Sequence, residues 1–137
     1  MNFEILHLEQ GSIEWKLARL GLLTGSNAPA VFKLDSKGKF YASRADMAWQ
    51  MVCERLSGNP CDDVFVTREM QRGTDQEPYA RMAYEAFTGN IVRETGFLRH
   101  KHMPVGVSLD GDIDDFAGIV EFKNPKTTTH MRTLESG

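Results

Sequence analysis

The segment that most constrains the fold is an acidic turn between two short apolar runs. It reads V-S-L-D-G-D-I-D-D-F-A-G-I-V-E-F-K-N-P. Because glycine and aspartate favour turns, the runs 104–109 and 117–123 are predicted to pair as a β-hairpin. Residues two apart in a strand point to the same face, so Glu121 and Lys123 should project together. Phe122 should turn the other way, into a core.

This hairpin would bring the carboxylate of Asp110 alongside Glu121 and Lys123. Two carboxylates and an ammonium on one face are the groups of a magnesium nuclease site. The ion would neutralise phosphate charge and lower the pKa of bound water, while the lysine would hold or deprotonate that water or stabilise charge on phosphorus. The segment therefore predicts metal-assisted phosphodiester hydrolysis.

Two other interpretations of the same segment stay open. Counted from Asp110, the acidic residues fall at positions one, three, five and twelve, which is most of an EF-hand calcium loop. Against it, position six is Asp115 rather than glycine, the chain before the loop looks extended, and Pro125 would break the exit helix. The simplest alternative is a hairpin with a solvated acidic turn, as most such turns are.

Composition narrows the class of protein. The chain has 137 residues, 41% hydrophobic residues and a net charge of −3, which indicates one domain with a core and no global basic signature. A basic loop at 33–43 contrasts with the four carboxylates of 110–115. Cys53 and Cys61 have no zinc-type spacing, and Cys53 is expected to be a buried thiol. No apolar run reaches membrane length and no signal peptide is visible, so we expect a cytoplasmic protein.

The remaining elements follow from periodicity and capping residues. Helices are predicted first and a three-stranded meander afterwards, which is an α/β (α+β) order. The predictions are a strand at 3–8, a helix at 13–19 capped by Ser12, a short helix through Val31 and Phe32 capped by Thr24 or Ser26, a helix at 44–56 capped by Ser43, a helix at 67–88 broken at Gly73, and a strand at 91–98.

A further helix is predicted to start near Thr127, shortly before the end of the given sequence. A three-stranded sheet needs cover on both faces, and the early helices would cover one. We therefore expect residues 1–137 to be a single domain that lacks its C-terminal helix and strands, and to be weakly active or inactive on its own.

Three blocks of the sequence resemble the lambda-type phage exonucleases, also called YqaJ-like viral recombinase nucleases, of the restriction-endonuclease-like PD-(D/E)XK superfamily. The first block is E-W-K-L-A-R-L-G-L-L-T-G-S, the second M-Q-R-G-T-D-Q-E, and the third V-S-L-D-G followed by E-F-K-N-P. They occur in the family's order and span nearly the whole chain. A lone D…E-x-K triplet arises by chance, whereas three ordered blocks are specific.

The resemblance implies a restriction-endonuclease-like core, with a small mixed sheet flanked by helices. It implies a Mg²⁺-dependent exonuclease, with Mn²⁺ as a substitute and one or two ions, that digests double-stranded DNA ends from 5′ to 3′. It also implies a phage or prophage origin, a role in recombination, a single-strand annealing partner and a homotrimer at full length. A catalytically inactive DNA-end-binding fragment is the non-enzymatic alternative.

The resemblance also implies a role for each site residue. Asp110, Glu121 and the backbone carbonyl of Phe122 would bind the metal, and Lys123 would position the hydrolytic water. Glu77 would reach a second ion through water. A further set would hold the 5′-phosphate of the digested strand: Arg19, Ser26 and Ser108. A guanidinium and two hydroxyls can satisfy the oxygens of a terminal phosphate.

Overall fold

The computed structural model describes residues 1–61 and 67–136, which fall into two compact units. The sheet unit takes residues 1–61 and 95–109, and the hairpin unit takes residues 67–94 and 110–136. Among the described residues, no helix is both long and apolar enough to cross a membrane.

The sheet unit is built on a mixed four-stranded sheet with three helices. Its elements are β1 (Phe3–Leu6), α1 (Ile13–Ala18), β2 (Leu23–Thr24), α2 (Ala28–Phe32), α3 (Ser43–Ser57), β3 (Phe97–His100) and β4 (Val105–Ser108). The strand order is β1-β3-β4-β2, in which β2 pairs parallel with β4 and the other pairs are antiparallel. This mixed α/β arrangement confirms the predicted fold class.

The centre of this sheet is packed around Phe97, whose side chain is fully buried. The neighbouring Leu98 of β3 and Met47 of α3 are also buried. Gly106 of β4 makes room for the ring, since a Cβ there would lie 2.3 Å from Phe97 Cζ and 3.0 Å from the Leu98 carbonyl oxygen. A glycine in a strand commonly marks such a close approach.

The turn that joins α1 to β2 is held by the end of α3. Gly21 has a positive φ of 63°, a conformation that glycine adopts without strain. Its amide donates to the Glu54 carboxylate at 2.8 Å, and its carbonyl accepts from Arg55 Nε and Nη2 at 2.9 and 2.6 Å. A side chain at position 21 would collide with Arg55. The turn between α1 and β2 is therefore fixed from both sides.

Capping of α1 is confirmed, and two other predicted caps are wrong. The Ser12 hydroxyl accepts from the Trp15 amide at 3.1 Å and caps α1. Ser43 instead lies inside α3 and donates its hydroxyl to the Ala30 carbonyl. The N-cap position of α2 is Asn27, so neither Thr24 nor Ser26 caps that helix. A serine or threonine hydroxyl can bond to several backbone or side-chain groups, and the sequence alone does not show which of them it will meet.

The hairpin unit contains a long helix, α4 (Arg68–Thr88), a short hairpin of β5 (Gly111–Ile113) and β6 (Gly118–Val120), and a final helix, α5 (Thr127–Ser136). The α4 helix begins at the Thr67 cap and ends at Gly89, with a φ of 75°. A break at Gly73 was predicted, but the helix continues through this residue. Pro78 lies inside the helix, where it lacks the amide that would donate to the carbonyl one turn back.

The predicted pairing of 104–109 with 117–123 is also wrong. The first run pairs in the sheet unit, and β6 pairs with β5 in the register Gly111↔Val120. The predicted strand at 91–98 reduces to β3 and an isolated bridge between Arg93 and Asp112. Since β4 and β6 are strands, the EF-hand interpretation, which needs helices on both sides of the loop, is wrong.

Candidate functional site

The β5–β6 hairpin brings Asp110 and Glu121 to the same end of one ladder. Gly111 pairs with Val120, Asp110 immediately precedes the first of these residues, and Glu121 immediately follows the second. The Asp110 carboxylate accepts a hydrogen bond of 2.6 Å from the Phe122 amide. This bond ties the chain that carries one acid to the chain that carries the other.

Lys123 projects to the same side as Glu121, as the two-residue spacing predicts. Its ammonium forms an ion pair with the Glu121 carboxylate. That hydrogen bond raises the pKa of Lys123, and the negative charge of Asp110 adds to the effect. β6 ends at Val120, so both side chains lie just beyond the strand rather than within it. Phe122 points elsewhere and packs edge-on against Tyr84 of α4, at 6.1 Å between ring centroids.

Glu77 of α4 interacts with this group electrostatically. Burial raises the pKa of its carboxyl, and the negative charges of Asp110, Glu94 and Glu121 raise it further, while Arg81 opposes the shift. The Arg81 guanidinium lies 3.8 Å from Glu77 and 2.5 Å from Glu94. Glu77 therefore lies in the electrostatic field of both acids of the hairpin.

The donor types of this acidic site fit a hard divalent cation. Asp110, Glu121 and Glu77 offer carboxylate oxygens, and Phe122 offers a backbone carbonyl, which are the ligands that Mg²⁺ prefers. Within residues 1–61 and 67–136, however, no three His, Cys, Asp or Glu side chains form a group that could hold a metal ion. One Glu121 oxygen faces Lys123 instead. The backbone of the hairpin thus brings Asp110 and Glu121 to the same end of the ladder, while the Glu121 side chain pairs with the Lys123 ammonium.

A second cluster, the arginine cluster, lies within the sheet unit around Arg19. Arg19 Nη2 donates to Thr24 Oγ1 at 3.2 Å and to Ser26 Oγ at 2.9 Å, and the two hydroxyls lie 3.1 Å apart. The guanidinium stacks over the Trp15 ring at 4.0 Å, and Trp15 Nε1 donates to Ser108 Oγ at 3.1 Å. Burial lowers the pKa of Arg19 by removing water from its charge.

The structure therefore joins all three residues that the resemblance implied for a phosphate pocket. Ser26 contacts Arg19 directly, and Ser108 reaches it through Trp15. The sequence did not indicate Thr24 or Trp15 as members of this cluster. The four-residue spacing from Trp15 to Arg19 on one helix was the available signal, since such residues are neighbours on a helix surface.

Two residues outside these clusters, His100 and Cys53, have structural explanations. His100 Nδ1 accepts from the amides of His102 and Met103 and so closes a turn. Cys53 is exposed, so the prediction of a buried thiol is wrong. It lies on the outer side of α3, where an apolar helical pattern does not distinguish a core position from an exposed one.

Comparison with known protein families matches residues 14–137 to the YqaJ-like viral recombinase domain. The chain belongs to the YqaJ-like family. The family predicted from the three sequence blocks is thereby confirmed.

Two solved structures resemble this YqaJ-like chain closely. One is the crystal structure of an alkaline exonuclease, LHK-Exo, from Laribacter hongkongensis, with 36% identity, a TM-score of 0.75, and 91% of this chain and 59% of that chain covered. LHK-Exo in complex with dAMP gives 37% identity, a TM-score of 0.73, and coverage of 91% and 60%. The chain thus spans about three fifths of the length of these relatives. No curated protein matches it.

Proposed function

We propose that this chain carries the catalytic part of a Mg²⁺-dependent exonuclease that digests one strand of a double-stranded DNA end from its 5′ terminus. The observation that supports the proposal is the register Gly111↔Val120, since Asp110 and Glu121 are the next residue on each side and Lys123 pairs with Glu121. Similarity to an alkaline exonuclease supports the reaction class. Recombination of phage type, with a single-strand annealing protein and a homotrimeric full-length enzyme, belongs to the same proposal.

Asp110, Glu121, Glu77 and the Phe122 carbonyl are the proposed holders of Mg²⁺, with Mn²⁺ as a substitute. When bound, the ion would neutralise phosphate charge and ease deprotonation of the attacking water. Lys123 remains protonated at neutral pH, because its bond to Glu121 raises its pKa. As an ammonium it can donate hydrogen bonds to the attacking water or to a phosphate oxygen, which favours positioning over proton abstraction.

The arginine cluster is the proposed site for the terminal 5′-phosphate. Arg19 offers a planar donor fork that suits phosphate oxygens, and Ser26 and Thr24 offer hydroxyls beside it. Stacking on Trp15 orients the guanidinium before the substrate arrives. An anion bound there would define which end of the strand the protein accepts.

The test is digestion of linear duplex DNA with and without Mg²⁺. We expect Glu121→Gln and Lys123→Ala to lose activity by roughly 10²–10³-fold, because each removes a charge that acts on the reacting phosphate. Lys126→Ala is the matched control, since Lys126 forms an exposed ion pair with Glu69. Digestion that persists in EDTA, or that Glu121→Gln leaves intact, would reject the metal-dependent reaction.

A second candidate is DNA-end binding without cleavage. The pairing of Glu121 with Lys123 favours it, because the ammonium already engages one oxygen of this carboxylate. Binding of fluorescent duplex ends separates the two candidates. Binding without cleavage over a wide Mg²⁺ and Mn²⁺ range would support the binding function, whereas cleavage would support the enzyme.

A further inference from the structure

Asp112 is a buried charge that the proposed chemistry does not use. Its side chain is 1% exposed, and it lies two residues after Asp110 in β5. Arg93 holds it with two hydrogen bonds, Nε to Oδ2 at 3.1 Å and Nη2 to Oδ1 at 2.9 Å. A buried carboxylate needs such a partner, because desolvation penalises an unpaired charge strongly.

The backbones of the same two residues are also paired. The Arg93 amide donates to the Asp112 carbonyl, and the Asp112 amide donates to the Arg93 carbonyl, both at 2.9 Å. The chain at Val92 runs so close that a Cβ at Gly111 would lie 2.3 Å from Val92 Cγ1. Arg93 and Asp112 therefore form an isolated antiparallel bridge that ties residues 92–93 to β5.

The turn between β5 and β6 is strained. Asp114, Asp115 and Phe116 have positive φ values of 48°, 54° and 70°, a region that non-glycine residues adopt at a cost. Arg93 Nη2 also donates to Asp115 Oδ1 at 2.9 Å. Asp112 Oδ1 accepts from the Phe116 amide at 3.3 Å. The Arg93–Asp112 pair thus contacts two residues of the strained turn, Asp115 and Phe116.

We infer that Arg93 is a positioning residue for the acidic site: it clamps Asp112 and Asp115, holds the strained turn, and so keeps the register that places Asp110 opposite Glu121. The inference rests on the proposed function. A hairpin register is set by its turn, and a slip of one residue would send alternate side chains to the opposite face. The clamp acts on the metal ligands through the backbone, without contact to substrate.

The experiment compares Arg93→Gln with Arg99→Gln in the full chain. Arg99 also forms a hydrogen-bonded ion pair, with Glu4, but in the sheet unit. Mn²⁺ binding by calorimetry is the direct readout, with the Mg²⁺ concentration for half-maximal digestion as the second. We expect Arg93→Gln to weaken both by about 10–100-fold, as loss of groups that orient metal ligands does, and Arg99→Gln to change neither.

A second pair of variants covers the case in which Arg93→Gln does not fold. Asp115→Asn removes only the exposed arm of the clamp, and Asp114→Asn removes the same charge from the adjacent position. We expect Asp115→Asn to weaken Mn²⁺ binding several-fold more than Asp114→Asn. Equal binding in these two variants, or equal binding in the folded arginine variants, would overturn the clamp.

Failure of the clamp is distinguishable from failure of the proposed function. If the unmodified chain does not bind Mn²⁺, the proposed function fails, and the clamp fails with it. If the unmodified chain binds Mn²⁺ and Arg93→Gln matches Arg99→Gln in affinity, only the clamp fails. Arg93→Lys keeps the charge but loses the two-bond geometry. Its Mn²⁺ affinity should therefore fall between that of the unmodified chain and that of Arg93→Gln.

Discussion

At the scale of single residues, Arg19 is held before any ligand arrives. Two hydroxyls accept from one of its nitrogens, and the Trp15 ring lies beneath the guanidinium plane. An arginine keeps its charge far above neutral pH even when burial lowers its pKa. Its fixed orientation reduces the entropy lost when a planar anion binds.

If this oriented guanidinium binds the 5′-phosphate, duplexes with 5′-phosphate and 5′-hydroxyl ends should be digested at different rates. We expect duplex with 5′-hydroxyl ends to be digested much more slowly, because a charge-assisted contact is missing. Arg19→Lys should narrow that difference by about tenfold, since lysine keeps the charge but loses the fork. Digestion rates on the two substrates measure it.

The control for this prediction is Arg99→Lys, an arginine of the same unit that pairs with Glu4. It should leave the preference between the two substrates unchanged. Equal rates of the unmodified chain on phosphate and hydroxyl ends would reject the phosphate pocket and leave the acidic site untouched.

The raised pKa of Glu77 predicts that the stability of the fold depends on pH. Because burial and then Asp110 raise its pKa, the folded state binds a proton more readily than the unfolded state. Stability therefore falls as pH rises through the window above the ordinary carboxyl pKa. In EDTA, Glu77→Gln should raise Tm at pH 8, and the gain should vanish below about pH 4.

Glu69→Gln provides the opposite sign for comparison. A hydrogen bond from Lys126 lowers the pKa of Glu69, so its ionised form favours folding at neutral pH. This variant should not raise Tm at pH 8. A Glu77→Gln variant that is equally or less stable than the unmodified chain at pH 8 would contradict the assignment of the shift.

The acidic site could be predicted from the sequence more fully than the arginine cluster. Glu121 and Lys123 could be predicted to share a face, because two-residue spacing is local. Thr24 as a partner of Arg19 could not, because a threonine before a short helix fits an N-cap equally well. The contact between Trp15 and Ser108 joins positions 93 residues apart, which no local pattern encodes.

At the scale of elements, helices are predictable from local patterns, whereas the pairing of strands depends on residues distant in the chain. Helix α4 was predictable from its period and its terminal signals, Thr67 and Gly89. The meander order predicted that the runs of β3 and β4 pair, and they do. The other neighbour of β4 was not predictable, because an apolar run of four residues fits any free edge of a sheet; it is β2 and not the run 117–123.

Two strand glycines give contrasting predictions. Gly106→Ala should destabilise the sheet unit by roughly 1–3 kcal/mol, because its Cβ would overlap a fully buried Phe97 ring that has nowhere to move. Gly118→Ala in β6 is the control, since its Cβ would lie 3.6 Å from Ile113, an ordinary contact. Urea unfolding of both variants measures the difference, and equal free energies of unfolding would contradict the packing.

At the scale of the whole molecule, much apolar surface is exposed. Among residues 1–61 and 67–136, the buried hydrophobic residues are Met47, Val92, Phe97 and Leu98. Several large apolar side chains are almost fully exposed: Phe87 at 92%, Leu56 at 83% and Ile91 at 82%. Exposed apolar surface favours association with other molecules.

We therefore expect this chain to self-associate as its concentration rises. Sedimentation velocity should show a sedimentation coefficient that increases with concentration, and a Phe87→Ser, Ile91→Ser double variant should reduce the increase. Lys16→Ser, Lys37→Ser is a control pair that changes polar positions. A sedimentation coefficient that is independent of concentration would contradict the expectation.

The pairing of β1 with β3 has a consequence for synthesis on the ribosome. Glu4 and Arg99, which face each other across these strands, are separated by 95 residues. At translation rates of about 5–20 residues per second, β1 waits roughly 5–20 s for its partner. During that interval the backbone donors and acceptors of β1 pair with water instead of with β3, so this edge stays open to other strands until residue 100 has emerged.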